Sequence, residues 1–463
     1  MKKLVYLIFF SSSLFYSCKK DPIIVDEPRK TEVLQGAITE DKTLNKNTDY
    51  LLKGQVYVKN NSTLTIPEGI EVVVEKADNP SDKGALIITK GSKLNIAGTQ
   101  DFPVVFTSSA INKNPGDWIG IIILGKAPTN LINAHIKGLT ESTDTEFGGT
   151  VSDDNSGSIN FLRLEYTGGL NPNQEEEWEM DMASGLSLEG IGSATKVEHV
   201  MVKNSLDDGF QFVGGTVNGK YLISLNNQDD NFDFDRGYTG KLQFLISYHS
   251  ASSTHSIRAN GLESLNDKGA TDAQPYTRPV ISNMTIIGPD HDELSGNQSQ
   301  GIYIRRNTRF NVRNSIIEGY SNGGLMMCPK TKPLLLNNLG SQFKYNMVNS
   351  DDRSRAFTYD NGPTGINIIP DPEVAALAVI MDDNLITRPA LNKNVIIDNT
   401  QEIGFKSPGS SGIIDVSLSA NSPALSGGDF SDPEFSTFFT IVQFKGASGT
   451  ESWASSGNWA QWE

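Results

Sequence analysis

The chain has 463 residues, with 55 Asp and Glu against 39 Lys and Arg, for a net charge of −16. That acidic balance argues against a phosphate-backbone partner, which needs clustered Lys and Arg, so nucleic acid drops out as a partner class. Two cysteines exclude a disulfide scaffold and a Cys-rich zinc site, and 37% hydrophobic residues is little for a thick globular core.

Residues 1–17 read as a signal peptide: Lys2 and Lys3, an apolar run from Leu4 to Phe10, then small and polar residues up to Ser17. The run is too short to span a bilayer. Cys18 follows, and Leu14-Phe15-Tyr16-Ser17-Cys18 resembles a bacterial lipobox. The resemblance implies cleavage before Cys18 and acylation of its sulfur and its new amino group. Several acyl chains anchor far better than one, at about 0.8 kcal/mol per buried methylene. Residues 18–49 then read as a lipid-anchored N-terminus and tether, charged and carrying Pro22 and Pro28.

From residue 50 to 440 the pattern is short strands separated by Gly, Asn, Asp and Ser. Gln55-Val56-Tyr57-Val58, Ser62-Thr63-Leu64-Thr65-Ile66, Glu71-Val72-Val73-Val74 and Ala85-Leu86-Ile87-Ile88 are the first of them. The strands repeat. Val200-Met201-Val202 recurs as Leu222-Ile223-Ser224 and again as Phe244-Leu245-Ile246, at 22-residue offsets. Phe210-Gln211-Phe212 recurs as Phe232-Asp233-Phe234, and Asp208 falls on Asp230, at the same offset. A period near 22 with two or three short strands per repeat predicts an all-β fold, a right-handed parallel β-helix. Its coils stack about 4.8 Å apart, so like residues form ladders along the axis. Insertions at 140–158, 170–182, 262–278, 288–299 and 350–385 interrupt the repeat, and solenoids gather such loops on one face. Pro372 and Glu373 mark the one helical start, over Asp371–Leu377. Residues 441–463 hold three of the five tryptophans, Trp453, Trp459 and Trp462. A solenoid must cover its last open coil, so these read as an aromatic C-terminal cap. A glycan-stacking platform is the other reading.

Four blocks carry a family resemblance: Gly116-Asp117-Trp118-Ile119-Gly120-Ile121, Asp207-Asp208-Gly209-Phe210-Gln211-Phe212-Val213-Gly214-Gly215, Asp229-Asp230-Asn231-Phe232-Asp233-Phe234-Asp235-Arg236-Gly237, and Asn260-Gly261-Leu262-Glu263. They resemble a family of Bacteroidota outer-membrane lipoproteins with a pectin-lyase-like right-handed β-helix, over roughly residues 50–463. The resemblance implies a surface lipoprotein held in the outer membrane by its lipid alone, working beside a TonB-dependent receptor. It implies no catalytic residues.

The carboxylates at Asp207, Asp208, Asp229, Asp230 and Asp233 lie on adjacent coils. Carboxylates stacked at about 5 Å repel unless they are protonated, hydrogen-bonded or bridged by a cation. Three readings stand side by side. The Asp side chains cap turns through backbone N–H groups; they hold calcium, which takes six to eight oxygens in flexible geometry; or they catalyse. For catalysis, Asp208, Asp229 and Asp230, with His255 and Arg258 on the next coil, resemble the order of acidic and basic residues in polygalacturonase-like hydrolases. The Gly-His-Gly block and the Lys after the Arg are missing, however. Two function classes follow. The first is a non-catalytic surface lipoprotein that binds a polysaccharide or a receptor partner. The second is a polysaccharide hydrolase or lyase using the Asp207/Asp208/Asp229/Asp230 cluster.

Overall fold

The computed structural model describes residues 29–462 apart from 137–138, 170–183, 251–258, 290–298, 321–322, 338, 350–355, 360–391, 398 and 410–413. The signal peptide, Cys18, the segment 371–377, His255 and Arg258 lie outside the described residues. Among the described residues, twenty-six strands form one continuous, coiled sheet, and each pairs in parallel with a strand one coil away. This is the expected all-β parallel β-helix.

One coil shows how the sequence makes the turn. Lys196–Lys203 lies on the first two faces, Phe210–Val213 on the third, and Asn218 starts the next coil directly on Lys196. Within Lys196–Lys203 the bend between faces is a single residue, His199, in the left-handed region (φ 53°). The same corner is turned by Phe161 (φ 51°), Tyr221 (φ 59°), Phe244 (φ 61°), Asn283 (φ 58°), Asn314 (φ 53°) and Tyr345 (φ 60°). A bulky residue held there costs about 1–3 kcal/mol. Ring stacking offsets part of that cost, because the outward rings form a column. Phe161 and His199 are 4.2 Å apart, His199 and Tyr221 4.5 Å, and Tyr221 and Phe244 5.1 Å. Such ring pairs contribute about 0.5–1.5 kcal/mol each beyond area burial. Inside the coils, Phe210 stacks on Phe232 and Phe212 on Phe234, both at 5.0 Å. Ladders of this kind fill a narrow core, which is why a modest hydrophobic fraction suffices.

Three expectations need correction. The third repeat is not at 22 residues, because Leu222 pairs with Leu245 and Ile223 with Ile246, an offset of 23. The turn joining Phe232–Asp235 to Lys241–Tyr248 is one residue longer than the turn joining Phe210–Val213 to Asn218–Leu225. The coils also start earlier than residue 50: Lys30–Ile38 already pairs with Thr48–Val58, so part of the expected tether is the first coil. At the other end, the last coil strand among the described residues is Val395–Ile397.

Among the described residues, the chain beyond that strand packs along the side of the solenoid. Phe405–Pro408 and Ile414–Leu418 form an antiparallel pair, and residues 423–462 then run back along the outside of the first two faces. Glu434 takes a bidentate pair from Arg278 (2.5 and 2.9 Å), Arg313 reaches Asp432 (2.7 Å), and Ala447 N–H donates to Thr285 Oγ1 (2.8 Å). Asn458 N–H donates to the Gln100 carbonyl (2.9 Å), next to the early coils. This strap covers the outward rows of Met201, Ile223, Ile246 and Ile316, which would otherwise leave apolar rungs in water.

Candidate functional site

The carboxylates sit in the turns that lead from the second face to the third. Asp207 and Asp208 precede Phe210–Val213, and Asp229 and Asp230 precede Phe232–Asp235, one coil on. Two of the four are spent on the backbone. Asp208 Oδ1 accepts the Asp230 N–H (3.1 Å), Asp230 Oδ1 accepts the Asn260 N–H (2.6 Å), and Asn260 Oδ1 accepts the Gln300 N–H (2.8 Å). Each acidic or amide side chain thus supplies the acceptor for the next coil's turn. Ser184 Oγ donates to the other oxygen of Asp208 (3.2 Å). The turn-capping reading holds for Asp208 and Asp230.

One ligand oxygen from each of Asp207, Asp208 and Asp229 lies within 4.8 Å of the other two. Asp207 and Asp208 are buried, and Asp229 is half-buried. Asp230 and Asp233 do not join this group. The Asp230 carboxylate is turned to Asn260, and Asp233 points outward from the strand, in register with Gln211 and Glu263. Gln211 Nε2 reaches Asp233 Oδ2 at 3.4 Å, and the Asp233 carboxyl also shares a side-chain hydrogen bond with Asp235.

Burial first, and then the Asp229 charge, pushes the Asp207 carboxyl up to about 8. Burial, followed by Asp207 and Asp233, holds Asp208 well above the ordinary carboxylate range. Asp230 is raised by burial and then by Glu263, and Asp233 by burial and then by Asp235. Positive charge enters one coil further on. Arg305 Nη1 is 2.8 Å from Glu263 Oε1, and its guanidinium lies 4.9 Å from the Tyr303 ring centroid. Burial works against the Arg305 charge, but Glu263 outweighs it and raises the guanidinium pKa. An arginine held charged in this way is an ion-pair partner, not a base.

The donor set fits calcium. Two oxygens that share one Ca²⁺, each about 2.4 Å from it, are at most about 4.8 Å apart, and the three carboxylate oxygens lie within that limit of one another. All three donors are hard oxygens, as Ca²⁺ requires. A cation there would also offset the repulsion that raises the Asp207 and Asp208 pKa values.

The tryptophans expected to present a glycan platform do not do so. Trp459 is fully buried, and Trp453 and Trp462 are half-buried in the same cluster. Trp453 meets Tyr221 edge-on at 5.2 Å and stacks on Trp459 at 5.9 Å. The faces of Trp453 and Trp459 are spent on the protein.

Residues 36–365 match the model of the pectate-lyase-like β-helix domain. The chain belongs to that family. A pectate-lyase-like β-helix fits a polysaccharide-related role. No curated protein and no solved structure matches the chain. Within the family frame, the Asp208–Asp230 register is the part of the site that sequence periodicity found. Asn260 and Glu263 escaped it as site members, because their coil lies 30 residues on from Asp230 and Asp233. The sequence signal that marks them is the Asn260-Gly261-Leu262-Glu263 block itself.

Proposed function

We propose that this protein is a lipid-anchored lipoprotein of the outer membrane that binds an acidic extracellular polysaccharide through calcium and does not cleave it. The observation that carries the reading is the convergence of Asp207, Asp208 and Asp229 at one coil junction. Three carboxylates leave part of a calcium shell free, and the carboxylates and hydroxyls of a uronate glycan are the hard oxygens that complete it. Cys18 supplies the anchor, and a TonB-dependent receptor is the partner to which the bound glycan is passed. Among the described residues, the pairing of Arg305 with Glu263 supports binding over lyase chemistry, since an arginine so held is not a base.

A glycan array probed with and without calcium, with product analysis of every bound glycan, tests the reading. Calcium-dependent binding of uronate glycans with no new ends is the expected result, lost in Asp207→Asn and Asp229→Asn. Binding that ignores both calcium and these substitutions would sink it.

One observation favours the enzymatic reading. A carboxyl pushed up to about 8, as at Asp207, keeps its proton at neutral pH and is suited to general acid catalysis. New reducing ends or unsaturated uronates, abolished by Asp207→Asn in a folded protein, would establish it.

A further inference from the structure

The corner that leads into the carboxylate turns is filled by Tyr166, Asn204 and Asn226 on three successive coils, each in the left-handed region (φ 63°, 57° and 53°). Asparagine tolerates that conformation, whereas a bulky residue is strained in it. At the other corner the strained rings stack on one another beneath the strap. Tyr166 is half-buried and has no ring neighbour among the described residues. What faces it is a cation, because Lys113 Nζ lies 5.8 Å from its ring centroid. Strain that the fold does not offset points to a use for the side chain.

Lys113 is exposed and is positioned by Thr107, whose Oγ1 accepts from Nζ (2.9 Å) and donates to Glu165 Oε2 (2.9 Å). Glu165 is already paired with Arg163 (2.7 Å) and Lys203 (3.8 Å), and Asp117 with Lys76 (2.9 Å). Among the described residues no carboxylate pairs with Lys113, and two of the three ammonium donors are left over. The patch is locally cationic on a chain of net charge −16. It also adjoins the triad. The Thr167 carbonyl accepts both the Gly116 N–H (2.8 Å) and the Leu206 N–H (2.7 Å), so the Lys113 turn and the Asp207 turn meet beside Tyr166. Gly168 packs so closely that a Cβ there would lie 2.7 Å from the Asp207 backbone nitrogen. Lys113 is two coils before Asp207, about 10 Å along the axis.

We propose that Tyr166 and Lys113 form a second subsite for the same acidic glycan, with the Tyr166 ring against a sugar and the Lys113 ammonium on a uronate carboxylate that calcium does not hold. The proposal rests on the calcium-dependent glycan reading above and adds the direction of the bound chain. One uronate completes the calcium shell at Asp207, Asp208 and Asp229, and the glycan then runs along the axis toward the early coils.

Galacturonate oligosaccharides from two to six residues, titrated calorimetrically in calcium, supply the test. Lys113→Gln should weaken binding of the longer oligosaccharides about tenfold, as loss of a charge-assisted hydrogen bond does. It should also flatten their salt dependence. The calcium-induced rise in melting temperature should stay as it is in the unaltered protein. Tyr166→Asn installs the residue that the next two coils carry at this corner, so it should fold, and it should weaken the same oligosaccharides. Undiminished binding of the six-residue glycan by both variants would overturn the subsite and leave calcium-dependent binding standing. Loss of the calcium-induced rise in Lys113→Gln would also overturn it, by placing the residue's effect at the triad. No calcium-dependent binding of any length by the unaltered protein would overturn both readings.

Discussion

The Trp459 indole meets the His199 imidazole edge-on, at 5.7 Å and 84°, and meets the Phe161 ring in the same way at 5.8 Å. Arg163 Nη1 holds the strap there by donating to the Asn458 and Trp459 carbonyls at 3.0 and 3.1 Å. The contact joins residues 260 positions apart in sequence and fixes the strap on the ring column.

Trp459→Ala is therefore expected to act as a core truncation. Removing a fully buried tryptophan costs about 3–5 kcal/mol. Chemical denaturation should show that loss, with glycan binding at the far turns unchanged in the folded fraction. A change under about 1 kcal/mol would mean that the strap is not held by this residue.

His199 gives an acid-limb prediction. Burial lowers its imidazole to about 4, whereas in an unfolded chain it titrates near 6.5. Between those values the unfolded state binds more protons, so stability falls as pH drops through that window and is unaffected above it. His199→Phe keeps a ring in the column and should flatten this limb. Melting temperatures measured between about pH 7 and about pH 4 would reveal it.

Asp207 works in the opposite direction. Its folded pKa of about 8 lies above the ordinary carboxylate value. The folded state holds the extra proton between about 4 and about 8, so in chelator stability declines as pH rises through that range. Calcium needs the deprotonated carboxylate and should reverse the slope while releasing protons. Calorimetry in buffers of different ionisation enthalpy would register the release. Identical melting curves in chelator and in calcium would argue against a metal at this triad.

Asp230 separates a cap from a charge. Asp230→Asn keeps a carbonyl for the Asn260 N–H and removes a carboxylate that Glu263 and Asp233 oppose. It should leave stability equal or raise it, since Asn260 already fills this role one coil on. Asp230→Ala leaves the Asn260 N–H without its acceptor and should cost about 1–3 kcal/mol. Equal losses in both variants would show that the charge, and not the hydrogen bond, is what matters.

Cys18→Ala should move the protein from the membrane fraction to the soluble one, because acyl chains are the anchor proposed for it. Mass analysis of the mature N-terminus is the matching check. Unaltered partition with no acyl mass would remove the lipoprotein assignment.

The coil ladder was legible because Phe210 and Phe232 must occupy equivalent interior places, and identity at a fixed offset exposes that constraint. The slip at Phe244 has a plain cause. Its ring replaces Tyr221 in the outward corner column, not Val200 on a strand, and an extra turn residue shifts the count by one. The Asp208–Asp230 rung was legible by the same offset. The rungs at Asn260 and Gln300 were not, because insertions separate them by 30 and 40 positions. The destination of Trp453 and Trp459 was hidden for a different reason. A strap packs on partners hundreds of residues away, and no local period records which side of the solenoid it follows.

The strap has a consequence for the order of folding. Coils join neighbour to neighbour, and a chain emerging from its first residue can stack them as they appear. The column from Phe161 to Phe244 is complete long before Trp453 and Trp459 arrive, and it must wait with its outer ring edges in water. Contacts of such sequence separation are slow to close. The interval between the last coil and the docking of the strap is then the stage at which an unfinished molecule is most prone to stick to another, through the rows that the strap will later cover.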